Sequence, residues 1–146
     1  MRISTKGHHA LCAMVDLALH GEQGWVTRDE MAERLGISPL YLSQILRRLN
    51  KARLITATKG PYGGYQLTRA PAEIGAGEIV RAAEESLVLV PCLEGPSVCR
   101  RVTDCAAHQL WQKLSDAVNA TLDSVTLADL RDDALRLRGQ AGGPGC

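Results

Sequence analysis

The sequence predicts a mainly α fold with a small β-wing: a winged helix-turn-helix followed by one long helix. Three observations predict it. Apolar residues recur at helical spacing in several separate stretches, a helix, Gly-containing turn and helix lie between Thr27 and Ala52, and two β-like runs flanking a glycine-rich loop come directly after. At 146 residues the chain makes one domain, or a domain plus an oligomerisation element, and 45% hydrophobic content is enough for a core.

Between residues 4 and 20, Leu11, Met14, Val15, Ala18 and Leu19 fall on one face, which predicts a first amphipathic helix ending near Gly21. Thr27-Arg28-Asp29-Glu30 then reads as a capping box, in which Thr27 accepts from a first-turn amide and Glu30 reaches back. A short helix follows to Leu35. Gly36 permits the sharp turn, Ser38 can cap, and Pro39 suits a first helical position because its missing N–H costs nothing there. The third helix is expected over 39–52, with Leu42, Ile45, Leu46 and Leu49 on its core side. Residues 54–58 and 65–68 read as two strands joined by Lys59-Gly60-Pro61-Tyr62-Gly63-Gly64.

The net charge of +1 conceals an asymmetry, since the first 70 residues sum to +5 and the remainder to −4. No acidic residue occurs between Glu33 and Glu73, a gap holding Arg34, Arg47, Arg48, Lys51, Arg53, Lys59 and Arg69. One basic half is what phosphate binding requires, although a solvated basic helix has the same composition. The outward side of the third helix carries Leu40, Ser43, Gln44, Arg47 and Lys51, groups that can hydrogen-bond base edges and phosphates in a major groove. Together with Ser38 and Tyr41 at the start of that helix, and Lys59, Gly60, Gly63, Gly64 and Tyr65 of the wing, they are the candidate DNA-binding residues. Glycines in the wing allow close backbone approach to a sugar-phosphate chain, and Tyr62 or Tyr65 can touch a groove wall or simply pack.

Cys92, Cys99, Cys105 and His108 fall in a C-x6-C-x5-C-x2-H pattern beside Pro91, Gly95 and Pro96. Thiolate and imidazole suit zinc or an iron-sulfur cluster, and a Pro/Gly-interrupted stretch can turn several side chains toward one point. The spacing matches neither paired C-x2-C knuckles nor the ferredoxin run, so buried inert thiols remain an alternative. Cys12 lies among the apolar positions of the first helix and is expected in the core. Cys146 ends a glycine-rich tail, 139–146, expected to be disordered.

A Gly-flanked helix is expected near 75–85, and a long one from about Asp104. Trp111, Leu114, Val118, Thr121 and Val125 repeat there at spacings of three and four, with Leu110, Ala117 and Leu122 alongside, a stripe that needs another helix inside or outside the chain. A last helix starts at Thr126, capped with Asp129, and ends near Gly139. The expected organisation is 1–70 winged helix-turn-helix, 71–104 connecting helix and Cys-rich loop, 105–138 the long helix and the last one, and 139–146 tail.

The opening MRISTKGHHAL, the segment GISPLYLSQILRRLNKARLI, the loop KGPYGGYQL and the cysteine run resemble a family of bacterial winged-helix transcriptional regulators. That family includes the iron-sulfur regulator IscR, the nitric oxide sensor NsrR and the cysteine-metabolism regulator CymR, and the resemblance covers roughly residues 1–130. It implies a homodimer on double-stranded operator DNA, paired through the long helix, and a [2Fe-2S] cluster held by Cys92, Cys99, Cys105 and His108. NsrR-like members instead draw a ligand from an N-terminal position of the other subunit, which makes His8, or its neighbour His9, the rival fourth ligand. His108 is preferred because ligands at i and i+3 on one helix converge readily. Three departures stand out: one extra residue between Cys92 and Cys99, Ser43 where IscR-like members commonly carry glutamate, and Lys59 in place of a wing arginine.

The function implied is a sequence-specific DNA-binding regulator, a repressor by expectation, whose cluster reports iron-sulfur, redox or nitric oxide status. A zinc-structured or thiol-switch regulator and a protein-interaction winged helix are the alternatives. An enzyme is not expected, because no oxyanion donor motif or third orienting residue accompanies a Cys105–His108 pair. Histidines and an aspartate interrupt the apolar N-terminus, so no signal peptide or membrane span is read there, and five cysteines without a secretion signal point to the cytoplasm.

Overall fold

The computed structural model describes residues 3–141 and contains six α-helices and one two-stranded sheet: α1 (Thr5–His20), α2 (Arg28–Leu35), α3 (Pro39–Lys51), β1 (Ile55–Thr58), β2 (Gly64–Leu67), α4 (Ala76–Ala83), α5 (Ala106–Ser124) and α6 (Leu127–Ala141). The mainly helical class with a small wing is the one the sequence predicts. Short 3-10 turns at Gly21–Gln23, Pro71–Glu73 and Pro91–Glu94 are additions that periodicity cannot show.

Local chemistry sets the helix ends. Ser4 accepts from the Gly7 amide at the start of α1, and Thr27 and Glu30 form the full reciprocal capping box of α2. Gly36 closes α2 in the left-handed region at φ 65°, where a side chain would be strained. Ser38 then caps α3 with Pro39 in its first turn. At α6 the Thr126 hydroxyl accepts from Asp129 N at 3.1 Å while the Asp129 carboxylate takes the Thr126 amide at 2.8 Å. These hydrogen bonds hold the Asp129 carboxyl below its ordinary titration range.

One core joins these elements. Met14 and Leu17 of α1, Met31 of α2, the four expected residues of α3, and Ile74, Ile79 and Leu127 are fully buried together. Cys12 is buried on α1 as expected, with its Sγ 3.6 Å from His8 Nε2. β1 pairs antiparallel with β2, Ile55 opposite Leu67 and Thr58 opposite Gly64. A further bridge joins Val26 to Tyr65, pinning the wing to the α1–α2 connection. Gly64 is required at that crossing, because its φ is 158° and a Cβ would lie 2.5 Å from the Val26 carbonyl oxygen.

The C-terminal half divides in an unexpected way. Gly75 bridges Thr126, and α6 packs back on α1 and on the Pro71–Glu73 turn, so the last helix belongs to the winged body. Helix α5 has no buried residue: it touches α4 and the Pro91–Glu94 turn, and leaves Leu110 58% and Leu114 40% exposed. Among the described residues the apolar stripe is therefore only partly covered, with Trp111, Val118, Leu122 and Val125 half-buried and Leu110 and Leu114 open. Helix α6 runs to Ala141, past Gly139, and the rest of the expected tail, including Cys146, lies outside the described residues. Among those described, no helix is long and apolar enough to cross a membrane.

Candidate nucleic-acid interface and cysteine loop

Helix α3 is seated by its buried Leu42, Ile45, Leu46 and Leu49, and this fixes which side chains face outward. Gln44, Arg47 and Lys51 are exposed, and Leu40 is 74% exposed at the first turn. In the wing, Lys59 and Gly60 are exposed and Tyr62 stands 91% exposed at the tip. Gly63 packs so closely on the Thr58 and Lys59 backbone that a Cβ would collide with it. Leu40, Gln44, Arg47 and Lys51 of α3 and Lys59, Gly60 and Tyr62 of the wing are thus open to solvent.

Other members of the candidate set have structural partners that spacing does not reveal. Ser38 Oγ receives the Tyr41 amide at 3.2 Å, which makes Ser38 a helix cap. The Tyr41 hydroxyl lies 3.3 Å from His9 Nδ1 with the rings edge to face, so this residue ties α3 to α1. Burial, with help from the neighbouring His8, holds His9 below the usual imidazole pKa. Tyr65 packs against the core at the Val26 bridge. The Ser43 hydroxyl donates to the Pro39 carbonyl at 3.0 Å and accepts from Arg28 Nη1 at 3.3 Å.

Arg48 has a role the sequence reading missed. It points away from the exposed face and donates to the Ala83 carbonyl at 2.8 Å and to Glu85 Oε1 at 3.2 Å. Next to it, Glu84 accepts from the Ser4 amide at 2.8 Å. The chain leaving α4 toward the cysteines is thus fastened to both α3 and the start of α1. No spacing rule marks such contacts, which join positions 35 or more apart.

The cysteine segment follows that fastening. Pro91 opens the 3-10 turn that holds Cys92, Gly95 adopts φ 128°, and the Val98 and Cys99 amides both reach back to the Gly95 carbonyl. Cys105 stands at the N-cap of α5 and makes no side-chain cap hydrogen bond, so its thiol is not used by the helix. Cys92 Sγ lies 3.5 Å from His108 Nδ1 in the first turn of α5. All three cysteines are free thiols of intermediate burial. The donor set suits a [2Fe-2S] centre in kind, and one thiol and the imidazole already meet. Among the described residues, however, no three His, Cys, Asp or Glu side chains are gathered as a metal cage. His8, the rival ligand, lies on α1 beside Cys12, its ring 5.4 Å from that of His9.

Comparison with known proteins places the chain in a family. The family model described as Rrf2, iron-dependent transcriptional regulator, matches residues 3–133. The transcriptional regulator IscR of Aliivibrio salmonicida is 39% identical over 91% of this chain and 79% of its own length. Among solved structures, IscR of T. potens superposes with a TM-score of 0.74 at 37% identity, covering 92% of this chain and 88% of its own. CymR, the global cysteine regulator of B. subtilis, also gives 0.74, at 36% identity over 90% of this chain and 97% of its own. These relatives are regulators rather than enzymes, and the helix-and-wing fold of this chain superposes on theirs. The chain belongs to the Rrf2 family of DNA-binding transcriptional regulators.

Proposed function

We propose that this regulator is a homodimeric repressor whose operator affinity is set by a [2Fe-2S] centre held by Cys92, Cys99, Cys105 and His108. The observation that carries the reading is the Cys92–His108 contact, which joins the turn after α4 to the first turn of α5. When bound, the cluster would supply four metal-ligand bonds and a redox- and nitric-oxide-sensitive charge at that junction. Ligation would fix how the loop meets α5, and Arg48 with Glu84 would carry the loop's position to α3 and α1. Two dimer geometries would then differ in how well they match two half-sites. Iron and sulfide analysis with a visible spectrum of anaerobically purified protein tests the cluster directly.

On DNA, Gln44 and Arg47 are assigned base reading, Leu40 a thymine methyl contact, and Lys51, Lys59 and the wing glycines the backbone. Ser38, Tyr41, Ser43 and Tyr65 shape the surface that meets the groove. Replacing Gln44 or Arg47 with alanine is expected to cost about 1–3 kcal/mol at particular base pairs. A binding series on duplexes altered one pair at a time reads this. Equal losses on every sequence would remove these side chains from base reading, and a protein with no sequence preference at all would favour a protein-interaction winged helix.

The exposed stripe of α5 is assigned to the partner subunit. Leu114→Glu, in a helix with no buried residue, leaves the protomer's own core untouched. Sedimentation should show the wild type as a dimer and the variant as a monomer at micromolar concentration. A variant that stays dimeric would move the interface elsewhere.

A second reading has its own support. Three free thiols without an assembled cage, on a fold that superposes on CymR, also suit a thiol switch or a zinc-structured loop. Zinc in colourless protein, or an oxidant-dependent change in DNA binding without metal, would favour it.

A further inference from the structure

We propose that Arg28 is a further specificity-determining residue, whose guanidinium reads a guanine edge in the major groove above Ser43. The inference rests on the assignment of α3 to the groove. Arg28 is the first residue of α2, directly after the Thr27 cap, so the capping box fixes where its side chain departs. From there it crosses to α3, and Nη1 donates to Ser43 Oγ at 3.3 Å. Ser43 lies between Leu40 and Arg47 on the outward side of the helix.

The direction of the hydrogen bonds decides which of the two residues addresses DNA. Ser43 turns its only hydroxyl proton back to the Pro39 carbonyl and offers a lone pair to Arg28. It has no donor left for a base. Arg28 uses Nε–H on Asp29 Oδ1 at 3.0 Å and one Nη1 proton on Ser43, while Nη2 makes no hydrogen bond among the described residues. Three of the five guanidinium protons therefore remain, two of them on the outer nitrogen, in the planar fork that matches O6 and N7 of guanine.

Solvent reaches the group, which is 44% exposed, so a base edge can as well. A base is preferred to a phosphate because the Asp29 carboxylate sits on the same guanidinium and is 74% exposed. That carboxylate would repel a phosphate oxygen while still orienting the fork. An ordinary surface ion pair between sequence neighbours would need only the Asp29 contact; the bond across to Ser43 places Arg28 on the recognition face.

The test selects duplexes from a randomised pool with the full chain and repeats the selection with Arg28→Ala, Arg28→Lys, Gln44→Ala and Arg47→Ala. Arg28→Ala should lose one guanine from the consensus and bind the wild-type consensus roughly ten- to a hundredfold more weakly. Replacing that G·C pair should weaken the wild type by a similar factor and leave Arg28→Ala unaffected. Lysine should not restore the guanine, since it lacks the fork. An unchanged consensus and affinity would overturn the proposal, as would a uniform loss on all duplexes with a shallower salt dependence, which marks a phosphate contact. If Gln44→Ala and Arg47→Ala change the selection and Arg28→Ala does not, only the Arg28 assignment fails. If no variant changes it, the assignment of α3 fails as well. Thermal melts identical to wild type exclude misfolding of the exposed-site variants.

Discussion

Cys99→Ala protein purified without oxygen should contain neither iron nor sulfide and show no visible absorption, whereas the wild type should be coloured. The substitution suits the question because Cys99 is a free, half-buried loop thiol and no packed core surrounds it. Measured against cluster-free wild type, its effect on stability should stay within about 0.5 kcal/mol, the usual range for substitutions outside a core. Loss of colour with a melt that matches cluster-free wild type would then mean loss of a ligand rather than loss of the fold. Operator affinity should follow. Typical coupling between two sites is about 1–3 kcal/mol, or roughly 5- to 150-fold, so Cys99→Ala should bind as cluster-free wild type does and differ from loaded wild type by such a factor. Equal binding by loaded wild type, stripped wild type and Cys99→Ala at every salt concentration would sink the coupling. His108→Ala beside His8→Ala locates the fourth ligand, because whichever change destabilises the cluster identifies the imidazole that holds it.

Which contacts are legible in the sequence depends on the range of each interaction. Thr27 with Glu30, Ser38 with Tyr41, and Thr126 with Asp129 span three residues each, so the same short motif that states the helix start also makes it. The buried face of α3 was legible for a similar reason, since one period places Leu42, Ile45, Leu46 and Leu49 together. Contacts across the chain leave no such mark. The Val26–Tyr65 and Gly75–Thr126 bridges, and the grip of Arg48 on Ala83 and Glu85, depend on how finished elements meet. Sequence placed Cys105 and His108 one helical turn apart, but Cys92 reaches His108 only because the Pro91 turn packs on α5. For the α5 stripe, periodicity left open whether its partner was internal. In the structure Trp111, Val118 and Leu122 are half-buried while Leu110 and Leu114 stay open, and the open part is the face proposed above to meet a second chain.

Replacing Arg34 with alanine should lower stability by about 3 kcal/mol, the low end for breaking a buried pair. Asp16 is 3% exposed on α1, and both its carboxylate oxygens accept from Arg34 of α2, Nε and Nη2 each at 2.8 Å. These hydrogen bonds also hold the Arg34 guanidinium more firmly protonated than usual. Without Arg34 a carboxylate is left in the core with two lost donors, its remaining basic neighbour being His20, 3.4 Å away. The opposite change is milder. Asp16→Ala leaves a guanidinium whose side chain is 32% exposed and can turn its charge to water. The two single variants should therefore differ although they break the same pair, and Asp16→Leu combined with Arg34→Ala should recover part of the loss because no charge stays buried. For a chain of this size, 3 kcal/mol corresponds to a fall in Tm of roughly 10 °C. Because α2 carries Arg28 and leads through Gly36 into α3, the same loosening should weaken operator binding even where Arg34 touches no DNA. An Arg34→Ala protein melting within a degree of wild type would show that solvent already screens the pair, and that α2 is held by the packing of Met31, Ala32 and Leu35.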